Sequence, residues 1–214
     1  MFEKLTELGI DVEAKKTKLE KFMQLFLEYN NNVNLVSKND AKFLFEKHIY
    51  DSLAIGLFLK ENKMNINLLD IGTGGGFPSV PIAVCFDNIE VTAVDSTLKK
   101  IKFIEFAANE LELKNINPVC KRAEELDFKE NFDLCVSRAM AEMRIILEYA
   151  IPYVKTGGYF VANKSLKADD NLLARIESDL IAARGSFRSK RIVYDTFLAL
   201  LTDTLKTEEA DYGA

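Results

Sequence analysis

A run of glycines directly after an apolar segment is the part of this sequence best suited to chemistry. The stretch "DIGTGGGFP" begins at Asp70 and places Gly72, Gly74 and Gly76 in the pattern G-x-G-x-G. Glycine adopts positive φ without steric cost and lets a ligand lie directly against the backbone. In open parallel sheets, the turn from the first strand into its helix is the usual place for such a ligand. We therefore predict that this loop binds a ligand.

Acidic residues on either side of the glycines indicate which ligand. A dinucleotide-binding loop would need a glycine in place of Phe77, and a phosphate-binding loop would need Gly-Lys-Ser or Gly-Lys-Thr, which is absent. Asp70 suits a ligand that carries an ammonium group and would repel a pyrophosphate. Asp95, 19 residues after Gly76, stands where a carboxylate can accept hydrogen bonds from both ribose hydroxyls. Together these residues favour S-adenosylmethionine over NAD as the cofactor.

The segments that must position this loop alternate between two kinds of pattern. The strand-like segments are short and apolar: "INLLDI", "EVTAVD", "INPVCK", "FDLCVS" and "GGYFVAN". Helical patterns lie between or after them, near residues 77–86, 97–113, 139–151 and 166–183. Strands that are apolar on both faces and alternate with helices predict a doubly wound, mostly parallel α/β sheet.

The first 64 residues have a different pattern. Apolar residues recur every three or four positions between residues 14 and 30, which predicts a helix with one buried stripe. The segment "NNNVNLVSKND" favours turns and caps, and a second helix is expected from about residue 41 to residue 60. We therefore predict a helical region over residues 1–64 and a cofactor-binding domain over residues 65–214.

Composition and charge narrow the classes of protein. The net charge of −5 over 214 residues argues against a general nucleic-acid coat protein, so any RNA contact must be local. Basic residues cluster at 15–21 and at 184–191. An apolar run long enough to cross a bilayer and a signal peptide are both missing, so a cytoplasmic, non-membrane protein is expected. Three widely spaced cysteines indicate buried free thiols, without a disulfide framework or a metal site.

Several longer segments resemble one known family. "DIGTGGGFPSVPIAV", "VDSTLKKIKFIE", "RAEEL", "SRAMAEM" and "GGYFVANK" are similar to the bacterial small-subunit ribosomal RNA guanine-N7 methyltransferases, the RsmG or GidB family. "NLVSKND" and "KHIYDSL" resemble that family's N-terminal helical segment. The resemblance implies a seven-stranded Rossmann-like methyltransferase sheet with an N-terminal helical extension. It also implies methyl transfer from S-adenosylmethionine to N7 of one guanine in small-subunit (16S) ribosomal RNA, either as free RNA or in a ribosomal particle.

The same resemblance implies residues for the cofactor. Gly72 and Phe77 would line the cofactor site, and Ala123 with Glu124 would frame the adenine ring. Arg138 would face the methionine end, where a guanidinium can bind a carboxylate through two hydrogen bonds. The Asp95 assignment to the ribose comes from spacing, since the family varies more at that position.

Three basic residues are candidates for the substrate side. Arg122 and Lys164 fall on basic positions of the family that would meet the RNA. His48, the single histidine, has two interpretations: a helix histidine bonded to Asp51 or Ser52, or a residue at the edge of the cofactor or guanine pocket.

The expected chemistry needs few catalytic groups. Guanine N7 has a free lone pair and no proton, so attack on a sulfonium methyl requires no general base, and we expect no catalytic acid or base. The sequence lacks the D/N-P-P-Y motif of exocyclic-amine methyltransferases and the Pro-Cys pair of carbon-5 enzymes. A methyltransferase of the same fold that acts on a small molecule or a protein, and a non-catalytic S-adenosylmethionine- or RNA-binding protein, remain alternatives. The segment after about residue 184 departs from the family pattern; a monomer is favoured.

Overall fold

A parallel sheet forms the centre of the protein. The computed structural model describes residues 2–55, 65–127, 129, 131–138, 143–163 and 191–192. Within them the sheet has six strands: β1 (Ile66–Ile71), β2 (Ile89–Asp95), β3 (Ile116–Cys120), β4 (Phe132–Arg138), β5 (Val154–Asn163) and β6 (Arg191–Ile192). Their order is β3-β2-β1-β4-β5-β6, and every neighbouring pair is parallel. The predicted parallel α/β sheet is confirmed.

The strand order reverses at β1, which pairs with β2 on one side and with β4 on the other. After β1 the chain therefore turns toward one face of the sheet, and after β4 it turns toward the other face. This divergence opens a crevice at the carboxyl edge of the sheet. The five strands predicted from apolar runs all form, although β5 begins at Val154, before the predicted start at Gly157. The seventh strand of the expected sheet is not among the described residues.

The N-terminal region consists of helices. α1 (Val12–Val33) begins at Asp11, whose carboxylate accepts from the N–H of Ala14, and ends at Asn34 in the left-handed conformation. The helix predicted over residues 14–30 is therefore confirmed. The helix predicted from about residue 41 is divided: α2 (Lys38–Ala41) is followed by a turn, a π-helical segment (Phe45–Tyr50) and α3 (Asp51–Leu53). Residues 56–60 of that prediction lie outside the described residues.

Three helices follow strands of the sheet: α4 (Ser79–Cys85), α5 (Leu98–Glu110) and α6 (Met143–Ala150). Each lies within a predicted helical segment. The predicted helix over residues 166–183 lies outside the described residues. None of the described helices is long and apolar enough to cross a bilayer.

The core joins the N-terminal helices to the sheet. Phe22 and Phe26 of α1 belong to one buried cluster with Phe77, Val80 and Ile104, which lie at and beyond the glycine loop. A second cluster packs α6 against another part of the sheet. Side chains from both sides of the predicted boundary at residue 64 thus share one core.

The cysteines differ from expectation at one position. Cys85 and Cys135 are buried free thiols, as predicted, but Cys120 is exposed. The apolar pattern around Cys120 was a poor guide because β3 is the edge strand of the sheet, where side chains are only partly covered.

Candidate functional site

The glycine-rich loop turns sharply between β1 and α4. The N–H groups of Gly72 and Thr73 both donate to the carbonyl oxygen of Val94, at 2.8 and 3.0 Å. Gly72, Gly74 and Gly76 have φ values of 78°, 59° and 89°. This left-handed region favours glycine. The prediction that these glycines adopt positive φ is confirmed.

Packing inside the protein accounts for two of the missing side chains. A Cβ at Gly75 would lie 2.7 Å from Cε2 of Phe26, and a Cβ at Gly76 would lie 2.8 Å from Cγ2 of Val80. Phe26 belongs to α1, so the N-terminal helix packs directly against the loop. Gly72, in contrast, lines an open cleft. The glycine run therefore serves helix packing on one side and leaves room for a ligand on the other.

Asp70 lies beneath the loop and is fully buried. It accepts a hydrogen bond from the hydroxyl of Ser79 at 2.6 Å, and Ser79 accepts one from the hydroxyl of Thr73 at 3.1 Å. Burial raises the pKa of Asp70 to about 7, against the opposing effect of the Ser79 hydrogen bond. Its side chain does not line the cleft. The carboxyl group supports the loop from inside, and a direct contact with a cofactor ammonium stays a prediction.

A cleft with a volume of about 310 Å³ opens at the carboxyl ends of β1 and β2. The structure brings together here five of the residues that were predicted from the sequence for cofactor or substrate: Gly72, Asp95, Arg122, Ala123 and Glu124. These residues come from three separate parts of the chain. Their convergence on one cleft is the main geometric result for the site.

Asp95 forms one wall of the cleft and is already well supplied with donors. Its carboxylate accepts from the N–H groups of Gly74 at 3.1 Å and Thr97 at 2.8 Å. The ammonium group of Lys100 lies 3.3 Å away. Two carboxylate oxygens offer about four acceptor positions, so these three contacts leave capacity for a hydroxyl. The neighbouring backbone holds Asp95 in place at the edge where a ribose was expected.

The opposite wall is a short 3-10 turn after β3. The phenol of Tyr153, the residue before β5, donates to the carbonyl oxygen of Ala123 and so ties this turn to the start of that strand. The N–H of Arg122 donates to the carboxylate of Glu125 at 3.3 Å, which caps the turn. The Arg122 guanidinium is 69% exposed and lies 3.8 Å from the carboxylate of Glu124. Arg122 thus stands at the rim, with its charge open to solvent.

Three further predicted residues, His48, Phe77 and Arg138, lie together at the carboxyl end of β4. Nη2 of Arg138 lies 2.9 Å from Nδ1 of His48. Nη1 donates to the carbonyl oxygen of Lys47 at 3.2 Å and lies 3.4 Å from a carboxylate oxygen of Asp51. The guanidinium carbon is 5.3 Å from the centre of the Phe77 ring. We refer to Lys47, His48, Asp51, Phe77 and Arg138 as the Arg138 cluster.

Phe77 belongs to this cluster rather than to the lining of the cleft. It is 2% exposed, and its ring centre lies 5.5 Å from that of Phe22, 5.1 Å from that of Phe26 and 5.1 Å from that of His48. The peptide bond from Phe77 to Pro78 is cis. Phe77 therefore links α1 to the Arg138 cluster, and a direct contact with the cofactor stays a prediction.

His48 has a partner that the sequence did not indicate. The hydroxyl of Ser52 donates to the backbone carbonyl of His48. Of the two ring nitrogens, Nδ1 is paired with Arg138 and Nε2 has no hydrogen-bond partner among the described residues, so the interpretation that the ring bonds to Asp51 or Ser52 is wrong. Burial, followed by the charge of Arg138, lowers the pKa of His48 to about 4. The ring is neutral at pH 7. Because arginine can only donate, Nδ1 accepts from Arg138 and the proton is assigned to Nε2.

Other predicted substrate residues are not placed. Lys164 lies outside the described residues, as do Arg184, Arg188 and Lys190 of the late basic cluster. Arg191 of that cluster lies in β6 and pairs through its backbone with Tyr159 of β5.

Several residues of the site were missed in the sequence. Lys100 and Lys121 line the cleft together with Thr97 and Tyr149. Lys100 could have been found, because a lysine one turn into the helix after Asp95 lies within reach of that carboxylate. The place of Tyr149 in the cleft and the pairing of Arg138 with the His48 ring result from contacts between distant parts of the chain, for which the sequence has no local signal.

Comparison with known proteins agrees with this arrangement. Residues 15–186 match the model of the GidB family, described as rRNA small subunit methyltransferase G. Curated relatives named ribosomal RNA small subunit methyltransferase G include those of Streptococcus thermophilus (39% identical over 174 residues) and Lysinibacillus sphaericus (37% over 175 residues). Each alignment covers 79% of this chain and 73% of the relative.

A similar fold occurs in a solved structure. The crystal structure of a SAM-dependent methyltransferase from Aquifex aeolicus superposes with a TM-score of 0.50 at 18% sequence identity. The superposition covers 69% of this chain and 88% of that one. At this identity the likeness supports the Rossmann-like fold alone. The family match and the curated relatives establish more: this chain belongs to the GidB family of small-subunit ribosomal RNA methyltransferases, which use S-adenosylmethionine.

Proposed function

We propose that this protein transfers a methyl group from S-adenosylmethionine to N7 of a guanine in small-subunit ribosomal RNA. The observation that carries the proposal is the convergence of Gly72, Asp95, Ala123 and Glu124 on one cleft at the carboxyl edge of the sheet. Family membership supports the ribosomal RNA substrate. The N7 target rests on the resemblance noted above and on the chemistry below.

The residues at this edge fit an adenosine bound through its ribose. The cleft volume of about 310 Å³ falls at the lower end of the usual range for ligand pockets. Asp95 would accept from the ribose hydroxyls, and Ala123 with Glu124 would lie against the adenine. Arg138 would bind the carboxylate of the methionine part, since its contacts with Lys47, His48 and Asp51 use three of its five donors.

The proposed reaction depends on position rather than on proton transfer. The bound cofactor supplies an electrophilic methyl group on its sulfonium. Guanine N7 carries a lone pair and no proton, so the protein has to hold the two reactants in line and exclude water. The pKa of about 4 makes the His48 ring a weak base, and neither His48 nor Asp70 lines the cleft, so neither side chain is placed to take a proton from a group bound there.

Arg122 is the proposed RNA contact among the described residues. Its guanidinium is exposed at the rim of the cleft, and its nearest acidic neighbour, Glu124, is 3.8 Å away. A phosphate could replace that loose ion pair with a stronger, bidentate one. Lys164 is proposed as a second contact on the strength of the resemblance, and His48 as a residue at the edge of the guanine pocket.

Further parts of the proposal concern the whole chain. A ribosomal RNA substrate implies action in the cytoplasm, on free RNA or on a ribosomal particle. We propose a monomer in which residues 1–64 support a methyltransferase domain over residues 65–214 that is built on a seven-stranded sheet.

Methylation of purified RNA tests the function. The protein is incubated with S-adenosylmethionine carrying a labelled methyl group and either free small-subunit ribosomal RNA or immature small subunits. We expect label in one guanine, which becomes sensitive to reagents that cleave at 7-methylguanine. Label in a small metabolite without RNA, or no release of S-adenosylhomocysteine with either RNA substrate, would contradict the proposal.

A pair of lysine and arginine variants tests the RNA contact. Arg122→Ala should weaken RNA binding and leave the fold intact. Lys114→Ala is the matched control. Lys114 is exposed in the loop that precedes β3, at the amino ends of the strands, whereas Arg122 follows β3 at the carboxyl ends. Equal RNA affinity of the two variants would remove Arg122 from the proposed interface.

A further inference from the structure

The first turns of α5 carry charges of the wrong sign for their position. Lys99, Lys100 and Lys102 lie there, and the first turn contains no acidic residue. Cations near a helix N-terminus are unfavourable because that end carries the positive partial charge of the helix dipole. The ion pair with Asp95 explains Lys100. Folding stability alone therefore does not account for the presence of all three lysines.

The other two lysines have weaker explanations within the structure. The ammonium of Lys99 donates to the carbonyl oxygen of Val33 at the end of α1, at 3.3 Å, and remains exposed. Lys102 is exposed and forms no ion pair or hydrogen bond with its side chain inside the described ranges. Its charge is therefore available to a partner outside the protein.

An exposed aromatic ring lies one turn after Lys102. Phe106 is 42% exposed and stacks on Tyr29 of α1, with 6.1 Å between ring centres and an interplanar angle of 27°. Leu98, at the start of the same helix, is 54% exposed. Lysines beside an exposed stacked ring form the combination that binds single-stranded nucleic acid: the lysines meet phosphates, and the ring accepts a base.

This surface begins at the rim of the cleft. Thr97 and Lys100 line the cleft, Lys99 lies between them in the first turn of α5, and Lys102 follows in the second turn. Four residues of helix span about 6 Å, so Lys102 and Phe106 are spaced like neighbouring nucleotides. Glu105 adds one negative charge beside them, which leaves the two lysines in excess.

We propose that the outer surface of α5, formed by Leu98, Lys99, Lys102 and Phe106 with Tyr29 of α1, binds a single-stranded segment of the ribosomal RNA that flanks the methylated nucleotide. We refer to it as the α5 surface. The proposal extends the RNA contact beyond Arg122 and rests on the ribosomal RNA substrate. RNA is favoured over a protein partner because lysines that form no ion pair within the described ranges complement phosphates, and sequence-specific RNA recognition mostly targets unpaired bases.

Binding measurements with three variants test the proposal. Lys102→Ala, Phe106→Ala and Phe106→Leu are compared with the unchanged protein on in vitro transcribed small-subunit ribosomal RNA and on immature small subunits. Phe106→Leu keeps an apolar side chain against Tyr29 and removes only the ring, so it separates stacking from folding. Lys114→Ala and Leu27→Ala are controls, since Leu27 is 40% exposed on α1.

The expected results differ between the variants. Loss of the ring should weaken RNA binding about five- to a hundredfold in both Phe106 variants. Lys102→Ala should lower the slope of log affinity against log salt by about 0.7, the value for one phosphate contact with a single strand. The affinity for S-adenosylmethionine should stay unchanged in all five variants, because none of the substituted residues lines the cleft.

Two outcomes would overturn the proposal. RNA affinity and salt slope equal to those of the controls would exclude the α5 surface, even if Arg122→Ala still weakened binding and so kept the proposed contact at the rim. Weaker binding to small subunits with unchanged binding to free RNA would indicate a protein partner instead.

Discussion

The cleft and the Arg138 cluster lie at the same edge of the sheet but are built in different ways. The cleft is open and is formed by backbone and charged side chains that follow β1, β2 and β3. The Arg138 cluster is enclosed: the Arg138 side chain is only 16% exposed, against 69% for Arg122. Three of its five members, Lys47, His48 and Asp51, come from the N-terminal helices.

The comparison indicates which part of the proposed site depends on the N-terminal helices. The sheet and its loops alone provide the surface proposed for adenosine. The guanidinium proposed for the methionine carboxylate depends on His48, Lys47 and Asp51 for its orientation. Contacts in the two places should therefore respond differently to substitution, because interactions between exposed charges are weak and those between buried ones are strong.

The largest difference is expected from two arginine variants. Arg138→Ala should weaken S-adenosylmethionine binding by about 2–5 kcal/mol, the usual cost of truncating one partner of a buried, hydrogen-bonded charge pair. Arg122→Ala should change cofactor affinity by less than about 1 kcal/mol, because its charge is exposed. Calorimetric titration measures both. Equal effects would mean that the two places do not differ as the structure indicates.

Dependence on pH separates Asp70 beneath the loop from His48 in the Arg138 cluster. The pKa of Asp70 is raised from 3.8 to about 7, so its contribution to stability is lost as pH rises from about 4 to 7. The pKa of His48 is lowered from 6.5 to about 4, so its contribution is lost as pH falls from 6.5 to 4. Each changes the free energy of unfolding by at most about 1.4 kcal/mol per pH unit, in opposite directions.

Two variants reveal these opposing contributions. Between pH 4.5 and 6.5, the free energy of unfolding of Asp70→Asn should increase more with pH than that of the unchanged protein, because only the His48 contribution remains. The free energy of unfolding of His48→Asn should decrease with pH relative to the unchanged protein, because only the Asp70 contribution remains. Urea unfolding at several pH values measures the slopes. The same slope in both variants would contradict the opposite shifts.

The packing of α1 on the glycine loop has a smaller expected effect. Gly75→Ala should destabilise the protein by about 1–3 kcal/mol, because its Cβ would overlap the ring of Phe26. Phe26→Leu in the same chain should relieve part of that cost. Gly74→Ala is the control: its Cβ would make only an ordinary contact, 3.9 Å from the carbonyl oxygen of Gly72, and its cost arises from φ of 59°, so Phe26→Leu should not relieve it. A double-mutant cycle by thermal unfolding measures the coupling.

The smallest effect concerns thiol reactivity beside the cleft. Burial raises the pKa of Cys85 to about 12 and that of Cys135 well above its ordinary value, so both should resist alkylation. Cys120 is exposed, and its sulfur lies 3.9 Å from the carbonyl of Ser96, which lines the cleft. Mass spectrometry should show rapid labelling of Cys120, slowed by S-adenosylmethionine. Equal labelling of Cys120 with and without the cofactor would mean that S-adenosylmethionine binds away from this cleft.

Local pattern predicted much of the fold. Apolar runs located the five longer strands, and the 3.6-residue periodicity located α1. These predictions succeeded because strands buried on both faces and helices with one buried stripe leave a signature within a few residues. The break between α2 and the π-helical segment leaves no such signature, because the helical pattern of apolar residues continues across it.

Prediction of the site was more uneven. Asp95 and the loop glycines follow from spacing, and the resemblance located Arg122, Ala123, Glu124 and Arg138. The full burial of Asp70 and the pairing of His48 with Arg138 did not follow, because residues 90 positions apart in the chain meet only after folding.

The contact between Phe26 and Gly75 has a consequence for related sequences. The two positions lie far apart in the chain, yet the aromatic ring occupies the volume that any side chain at residue 75 would need. Evolutionary change at one position is therefore tied to change at the other: homologues with a side chain at residue 75 should carry a smaller residue at position 26. An alignment of such homologues would record, as covariation, how the N-terminal helix became bound to the loop.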